Sequence, residues 1–255
     1  SSLSMPALTT ISGRFTLNDV GLTSLTLTAL TTIDSVYFVN NASLTELNLP
    51  AWTGGLDGYY GGSSIQNNGI TSLNLSGMTA LESDLIISNN SGLASINVSN
   101  LATLDGSLTV TNNAVLSSLS LDDLTSGEGT LIVTDNDELS SLLLPKLATF
   151  NGDINISSEG LLAVDVSSLT SVGLSGSTSY GTFGLEIVAG GSLSGLNLSK
   201  LATANSISIS GVGDATLSFP VLASCTGSFG VYTSDSLTSL SVPSLKTVGE
   251  WIALA

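Results

Sequence analysis

Six Asn-x-Ser tripeptides are the groups in this sequence most suited to a specific covalent modification. In a secreted protein each is an acceptor motif for N-linked sugar. Their asparagines are Asn41, Asn74, Asn89, Asn97, Asn155 and Asn197. We predict glycosylation at one or more of them, above all at the four that the repeat described below places on outward strand faces: Asn74, Asn97, Asn155 and Asn197. The alternative interpretation is that asparagine merely suits an exposed strand face.

The other reactive side chains are mostly carboxylates. The chain has no histidine, which excludes a Ser-His-Asp triad, an imidazole base and the usual zinc sites. A carboxylate pair of the kind used in glycoside hydrolysis remains conceivable among Asp105, Asp122, Asp123 and Glu128, but acidic residues at such corners are ordinarily solvated. We predict a protein that is not an enzyme, with no catalytic residues and no cofactor.

One acidic segment resembles the start of a calcium-binding loop. Asp135-Asn136-Asp137-Glu138 places oxygen ligands at alternate positions, but the glycine and the terminal glutamate of the helix-loop-helix calcium motif do not follow. Asp135 and Asn136 also fall at a corner where asparagines recur in other repeats. We therefore expect a structural role and no metal site.

The net charge limits which partners the chain can bind, and the cysteine content limits its covalent cross-links. Twenty acidic and four basic residues give a formal net charge of −16, which repels nucleic acid and anionic lipid. The single cysteine, Cys225, excludes an internal disulfide framework, and its place in an apolar column indicates a buried residue.

No apolar run is long enough to span a membrane and no signal segment opens the chain. Because the sequence starts inside a repeat, we expect an excerpt of a longer precursor.

A recurring apolar-x-apolar triplet predicts the fold. Eleven triplets begin at Leu3, Leu25, Leu47, Leu73, Ile96, Leu119, Leu142, Val164, Leu196, Leu217 and Leu240. A second triplet follows about twelve residues later and begins at Phe15, Tyr37, Leu85, Leu108, Leu131, Ile154, Phe229 and Ile252. Such a period is typical of stacked coils, and the alternation indicates half-buried strands. We predict one all-β domain over residues 1–255, a parallel β-solenoid of about eleven coils with two short strands per coil.

The corners of the predicted coils also repeat. Asparagine pairs follow the second triplets, and asparagine tolerates left-handed backbone and can form a hydrogen-bonded ladder when stacked. The pairs are Asn40–Asn41, Asn67–Asn68, Asn89–Asn90 and Asn112–Asn113, with Asp135–Asn136 in the same place. A threonine column at another corner comprises Thr10, Thr32, Thr103, Thr149, Thr203 and Thr247. That column makes ice binding a lesser alternative, although the outward strand residues are too mixed for a regular ice-binding face.

Two insertions interrupt the repeat, near residues 53–62 and 173–184. Both fall between the first and the second strand, so we expect two loops that project from the same edge. Their aromatic residues, Tyr59, Tyr60, Tyr180 and Phe183, are candidates for a platform that binds carbohydrate or protein. The alternative is that these rings only pack within the loops.

Several short segments of the sequence resemble a known structural repeat. Leu-Thr-Thr-Ile at 8–11 and 30–33, Leu108-Thr-Val-Thr-Asn-Asn and the segment from Leu142 to Gly152 resemble the receptor L-domain, and most closely its fungal relatives, the glycolipid-anchored cell-wall-organisation proteins. The resemblance covers essentially the whole chain. It implies a right-handed, leucine-rich-repeat-like β-solenoid on a secreted, glycosylated, wall-associated protein. The disulfides and capping elements of receptor L-domains are absent from this sequence.

These observations lead to an expected function. We expect a non-enzymatic extracellular or cell-surface scaffold or spacer of a cell wall, matrix or surface filament. Its expected partners are copies of itself, stacked end to end, or other wall and matrix proteins and polysaccharide, with no direct membrane insertion within these residues. The main alternative is the ligand-binding ectodomain of a surface receptor or adhesin.

Overall fold

The computed structural model describes residues 1–54, 62–174 and 184–255. Within these ranges the regular structure consists of β-strands, and no helix is present that could cross a membrane. The strands pair in parallel and stack as a β-solenoid, so the predicted fold class is confirmed.

The first-strand sheet contains the predicted first triplets. Eight strands form it: Ser2–Ser4, Ser24–Thr26, Glu46–Asn48, Ser72–Asn74, Ser95–Asn97, Ser118–Ser120, Ser141–Leu143 and Ala163–Asp165. A separate pair, Thr216–Ser218 and Ser239–Ser241, continues it near the end of the chain. In each strand the central apolar residue points inward and both neighbours point outward.

The second-strand sheet runs the length of the stack. Its eleven strands are Thr10–Asn18, Thr32–Val39, Ser63–Gln66, Leu85–Ser88, Leu108–Thr111, Leu131–Thr134, Ile154–Ser158, Leu185–Leu193, Ile207–Val212, Phe229–Tyr232 and Ile252–Leu254. Ser63 lies beside Leu85 and Leu185 beside Ile154 in register. The repeat therefore resumes at the expected residue after each insertion.

A third sheet lies at the corner between these two, so most coils have three short strands and not the predicted two. Its strands are Ala80–Leu81, Thr103–Leu104, Ser126–Gly127, Thr149–Phe150, Ser171–Val172, Thr203–Ala204, Ser224–Cys225 and Thr247–Val248. Each has two residues, of which the second points into the core. We call it the corner sheet. Of the predicted threonine column, Thr103, Thr149, Thr203 and Thr247 lie in its outward row, whereas Thr10 and Thr32 begin strands of the second-strand sheet.

The prediction that Tyr37 opens a second-strand triplet is wrong by one residue. Val36 pairs with Phe15 and is fully buried, whereas Tyr37 lies on the outer surface. The register shifts between Ile11 and Arg14, because the first coil has one more residue at this point than the second. The side chains of the second coil therefore alternate from Val36 onward.

Coil nine interrupts the first-strand sheet. The preceding second strand is long, Leu185–Leu193, and its backbone has a positive φ of 94° at Gly191, within the strand, and of 69° at Gly195, just beyond it. The predicted triplet from Leu196 to Leu198 forms no regular strand, although Leu198 is buried. The detour of the backbone therefore splits the sheet while the core continues.

The interior is a single apolar cluster that reaches from Leu17 to Val231. Trp52, predicted as a corner residue of the core, is fully buried. Cys225 is also fully buried, as its column predicts. At the two ends of the stack the equivalent columns are only partly covered, for example at Leu3 and Leu240.

Candidate functional site

A buried asparagine ladder runs along the corner that follows the second-strand sheet. Its members are Asn41, Asn68, Asn90, Asn113 and Asn136, all buried. Asn113 Oδ1 accepts hydrogen bonds from the backbone nitrogen of Asn90 at 3.1 Å and from Asn90 Nδ2 at 3.3 Å. Asn90 Nδ2 also donates to the carbonyl of Ile65 at 2.9 Å. The same pattern recurs along the row, so these amides satisfy one another and the buried backbone.

The residue before each ladder asparagine provides the turn. Asn40, Asn67, Asn89, Asn112 and Asp135 all have φ between 54° and 61°. Asparagine and aspartate tolerate this left-handed conformation better than other non-glycine residues. The predicted corner ladder is therefore present, and the two residues of each pair have different roles. The first adopts the left-handed conformation of the turn, and the second points into the interior.

Asn41 is the inward-pointing residue of its pair, and this removes it from the glycosylation candidates. Its side chain is fully buried, and its Nδ2 donates to Asn68 Oδ1 at 2.9 Å and to the Leu17 carbonyl at 3.0 Å. A glycan attached there has no space in the folded coil. Asn89, the turn residue of its pair, is exposed.

Three of the remaining sequons share one local geometry. Asn74, Asn97 and Asn197 are exposed, and the Oδ1 of each accepts a hydrogen bond from the backbone nitrogen of the serine two residues later, at 3.0–3.1 Å. This Asx turn occupies the amide oxygen, while Nδ2, the atom that would receive the sugar, lies on an exposed residue. Asn74 and Asn97 are direct neighbours in adjacent coils.

Asn155 has a different environment. It lies on the outward face of the second-strand sheet between Ile132 and Glu186, is only partly exposed, and its Oδ1 is buried with no hydrogen-bond partner among the described residues. Burial raises the pKa of the Glu186 carboxyl above its usual value, and the same cause raises the pKa of Asp153. This part of the sheet is thus desolvated, which makes Asn155 a poorer acceptor than Asn74.

An acidic cleft lies beside Asn136, the last ladder residue. Asp135, Asp137 and Glu159 line an open space of about 710 Å³, together with Ser157, Ser158 and residues 188–190. Asn136, the second residue of the calcium-like segment, points away from this cleft into the ladder. Within the described residues no three acidic, cysteine or histidine side chains are grouped closely enough to hold a metal ion.

Three of the four acidic residues considered for catalysis, Asp122, Asp123 and Glu128, have separate side-chain partners. Asp123 Oδ1 forms an ion pair with Lys146 Nζ at 2.6 Å, and both side chains are substantially exposed. Glu128 Oε1 accepts from Asn151 Nδ2 at 2.8 Å, and Asp122 Oδ2 accepts from Ser120 Oγ at 3.1 Å. These contacts are those of solvated corner residues. Cys225 is equally unsuited to act as a nucleophile, because burial raises the pKa of its thiol to about 11.

The hydroxyl row and the aromatic loops were the other binding candidates. Thr103 and Ser126 are neighbours in the outward row of the corner sheet, and the row is a single residue wide. Ice binding stays a lesser prediction. The aromatic candidates Tyr59, Tyr60, Tyr180 and Phe183 lie outside the described residues.

Comparison of the chain with protein-family models, curated proteins and solved structures finds no match in any of the three.

Proposed function

We propose that this chain is a non-enzymatic extracellular scaffold or spacer, part of a cell wall, a matrix or a surface filament. The observation that supports the proposal is the continuity of its interior. Among the described residues one apolar cluster extends from Leu17 to Val231, and no second, separate core is present there. That part of the chain therefore has no internal domain joint at which to bend.

The buried ladder adds resistance to local opening. A bend that stretches the contacts between Asn90 and Asn113 without admitting water leaves buried amide groups without partners. An unsatisfied buried polar group costs about 1–3 kcal/mol. Each rung therefore opposes bending or shear between coils, which suits a spacer that must hold its length.

The extracellular part of the proposal is supported by the surface chemistry. Asn74, Asn97 and Asn197 present sequons on exposed turns. Only four basic residues are present in the whole chain, so its surface is unsuited to polyanions. The resemblance to wall-associated L-domain proteins agrees with this location.

Small-angle X-ray scattering at low protein concentration tests the scaffold. Ten intervals between the eleven strands of the second-strand sheet, at about 4.8 Å each, give a stack of about 48 Å. We expect scattering from one compact body of this length, with hydrogen-exchange protection through the central coils. A scattering curve typical of a flexible chain would contradict the proposal.

The location is tested separately by mass spectrometry of material from the native source. We expect sugar on at least one of Asn74, Asn97 and Asn197. A mass equal to that of the bare chain would argue against passage through a glycosylating pathway.

A further inference from the structure

A gap inside the stack leaves one edge of the first-strand sheet uncovered. The strand Ala163–Asp165 pairs with Ser141–Leu143 on one side and with no strand of the described residues on the other. The next coil places residues 196–198 there, and that segment is not a strand. An open strand edge presents backbone N–H and C=O groups without sheet partners. The repeat therefore leaves backbone groups here, within the stack, to which another group can bond.

A groove follows this edge, and we call it the coil-nine groove. It encloses about 430 Å³ and is lined by Leu143, residues 163–165, Ser167, Ser194, Gly195 and Asn197. Two hydrogen bonds hold its far wall: the backbone nitrogen of Ser194 donates to the carbonyl of Leu162 at 2.9 Å, and that of Gly195 donates to Asp214 Oδ2 at 2.5 Å. Small-ligand sites commonly have volumes of about 300–1,000 Å³. The groove is therefore preformed and large enough for a sugar ring.

The lining of the coil-nine groove combines apolar and hydrogen-bonding surface. Leu143 is 44% exposed and provides an apolar patch. Asp165 Oδ1 accepts a hydrogen bond from the backbone nitrogen of Ser167 at 2.9 Å, and a carboxylate can accept several more. A pyranose ring matches this surface, because it has apolar C–H faces and a rim of hydroxyl groups. An N-acetyl substituent adds an amide N–H and a C=O, with which the open edge of Ala163–Asp165 can pair.

The attachment point for such a sugar lies in the groove itself. Asn197 is exposed and lines the groove, and its Oδ1 accepts from the backbone nitrogen of Ser199 at 3.0 Å. This turn leaves Nδ2 available on a side chain at the groove wall. Asn74 and Asn97 form the same turn, but they lie on strands that are paired on both sides. Of these three sequons, Asn197 is the one that adjoins an open edge.

We infer that the N-linked glycan of Asn197 folds back into the coil-nine groove, where its first N-acetylglucosamine covers the open edge of Ala163–Asp165 and contacts Leu143. Attachment forms a bond between the sugar C1 and Nδ2, which loses a proton, while the lipid-linked pyrophosphate of the oligosaccharide donor leaves. The inference rests on the proposed extracellular function, for which it gives one sugar a structural role. A glycan on Asn74 or Asn97 extends into solvent, because the paired strands there form no open edge.

Hydrogen–deuterium exchange of the full chain, produced in a glycosylating secretory host, tests the inference. The reference is Ser199→Ala, which removes the sequon but keeps Asn197 and the backbone nitrogen from which its Oδ1 accepts. Ser199 is exposed, so this change should leave the fold intact. We expect the backbone amides of residues 163–165 to exchange roughly 10-fold more slowly in the glycosylated chain, as one added hydrogen bond implies.

Trimming of the glycan separates its first sugar from the rest. An endoglycosidase that leaves a single N-acetylglucosamine on the asparagine should retain the slow exchange at residues 163–165. An amidase that removes the whole glycan should abolish it. Leu143→Ser should reduce the protection in the glycosylated chain and have no effect on exchange in the Ser199→Ala background, because the contact that it removes is with the sugar.

Ser99→Ala is the matched control. It removes the sequon of Asn97, which has the same Asx turn in the paired part of the sheet. Loss of the Asn97 glycan should leave exchange at residues 163–165 unchanged.

Three results would overturn the inference: a secreted chain without sugar at Asn197, equal exchange at residues 163–165 in the glycosylated chain and in Ser199→Ala, or an equal change on Ser99→Ala. The extracellular location is tested separately, on material from the native source. Sugar at Asn74 in that material, together with unprotected residues 163–165, would leave the location intact and refute only the contact in the groove.

Discussion

Asn113 lies directly above Asn90 in the ladder, and its Oδ1 accepts hydrogen bonds from two nitrogens of that residue, at 3.1 and 3.3 Å. Its own Nδ2 donates to the carbonyl of Ile87 at 3.1 Å and to Asn136 Oδ1 at 3.3 Å. The amide therefore acts as donor on one side and acceptor on the other. No carboxylate can do both, since it has only acceptors.

Asn113→Asp should consequently destabilise the fold by roughly 3 kcal/mol, because a buried negative charge would face three acceptors that have lost their donor, namely the carbonyls of Ile87 and Thr111 and Asn136 Oδ1. Asn112→Asp is the matched control. Asn112 is exposed with φ of 55°, and aspartate already occupies the equivalent turn position at Asp135. Urea denaturation followed by circular dichroism measures both, and equal effects would show that the ladder contributes nothing specific.

A second pair of variants tests which side chains point inward. Leu119 is 6% exposed and its neighbour Ser118 is exposed on the same strand. Leu119→Asp places an unpaired charge in the core at a cost on the order of several kcal/mol, whereas Ser118→Asp should change the free energy of unfolding by less than about 0.5 kcal/mol. Thermal melts of both variants decide the matter. Similar losses would contradict the assigned register.

The alternation of apolar residues was sufficient to predict most of this fold. Leu119 and Leu131 belong to strands long enough to show alternation in the sequence. The corner sheet could not be found in that way, since each of its strands contributes one inward residue, such as Ala204 or Cys225. A strand with one apolar residue shows no alternation that could be recognised in the sequence. The second coil is one residue shorter than its neighbours, with three residues from Ile33 to Val36 where the first coil has four from Ile11 to Phe15, and this led to the wrong position for Tyr37.

The ladder was predicted as a feature, but not its orientation. Both residues of a pair such as Asn89–Asn90 suit a turn, and composition does not tell which one points inward. The sequence does contain a signal for the orientation, because a core leucine follows the buried asparagine by three residues, as Leu93 follows Asn90. In the structure the backbone nitrogen of Leu93 donates a hydrogen bond to the Asn90 carbonyl at 3.0 Å. Applied to Asn41 and Leu44, the same spacing would have excluded Asn41 as a glycan acceptor.

Glycosylation should be selective among the exposed sequons. Asn74 and Asn97 are partners in adjacent coils, about 4.8 Å apart, so two bulky glycans there would collide. In a glycosylating secretory host we expect Asn197 to be modified, together with either Asn74 or Asn97 in any one chain. Glycopeptide mass spectrometry measures this. A chain modified at both neighbours, or at the buried Asn41, would contradict the prediction.

Stability should depend on pH through the desolvated carboxyl of Glu186. Its pKa is raised by burial, so the native state holds this proton more tightly than the unfolded state. The sign follows from linkage: stability falls as the pH rises from the ordinary glutamate pKa, about 4.3, through the raised value. Glu186→Gln should therefore raise the melting temperature at neutral pH and flatten its dependence on pH in mild acid.

Glu46→Gln is the control for that change, because Glu46 is exposed on a first-strand segment. It should leave the shape of the melting-temperature profile unaltered. If Glu186→Gln lowered the melting temperature at neutral pH, the carboxylate would have a stabilising partner and its desolvation would not be the dominant effect.

Cys225 offers a way to measure how far opening of the stack propagates. Its thiol is fully buried, between Ala204 and Val248 in the corner sheet, and its pKa is raised to about 11. Against an ordinary thiol pKa of about 8.5, the raised value alone lowers the thiolate fraction at neutral pH by more than about 100-fold. Modification by a thiol reagent should therefore be slow in the native protein and fast in denaturant.

In a solenoid each coil contacts only its neighbours, so stability is local. Val248→Ala loosens the coil that covers Cys225 and should accelerate its modification, while Ile11→Ala, in the same column at the opposite end, should not. Both residues are partly buried members of the core, which makes the two truncations comparable. Stopped-flow labelling gives the two rates. Equal acceleration by both would mean that the described coils open as one cooperative unit, coupled through the continuous apolar core.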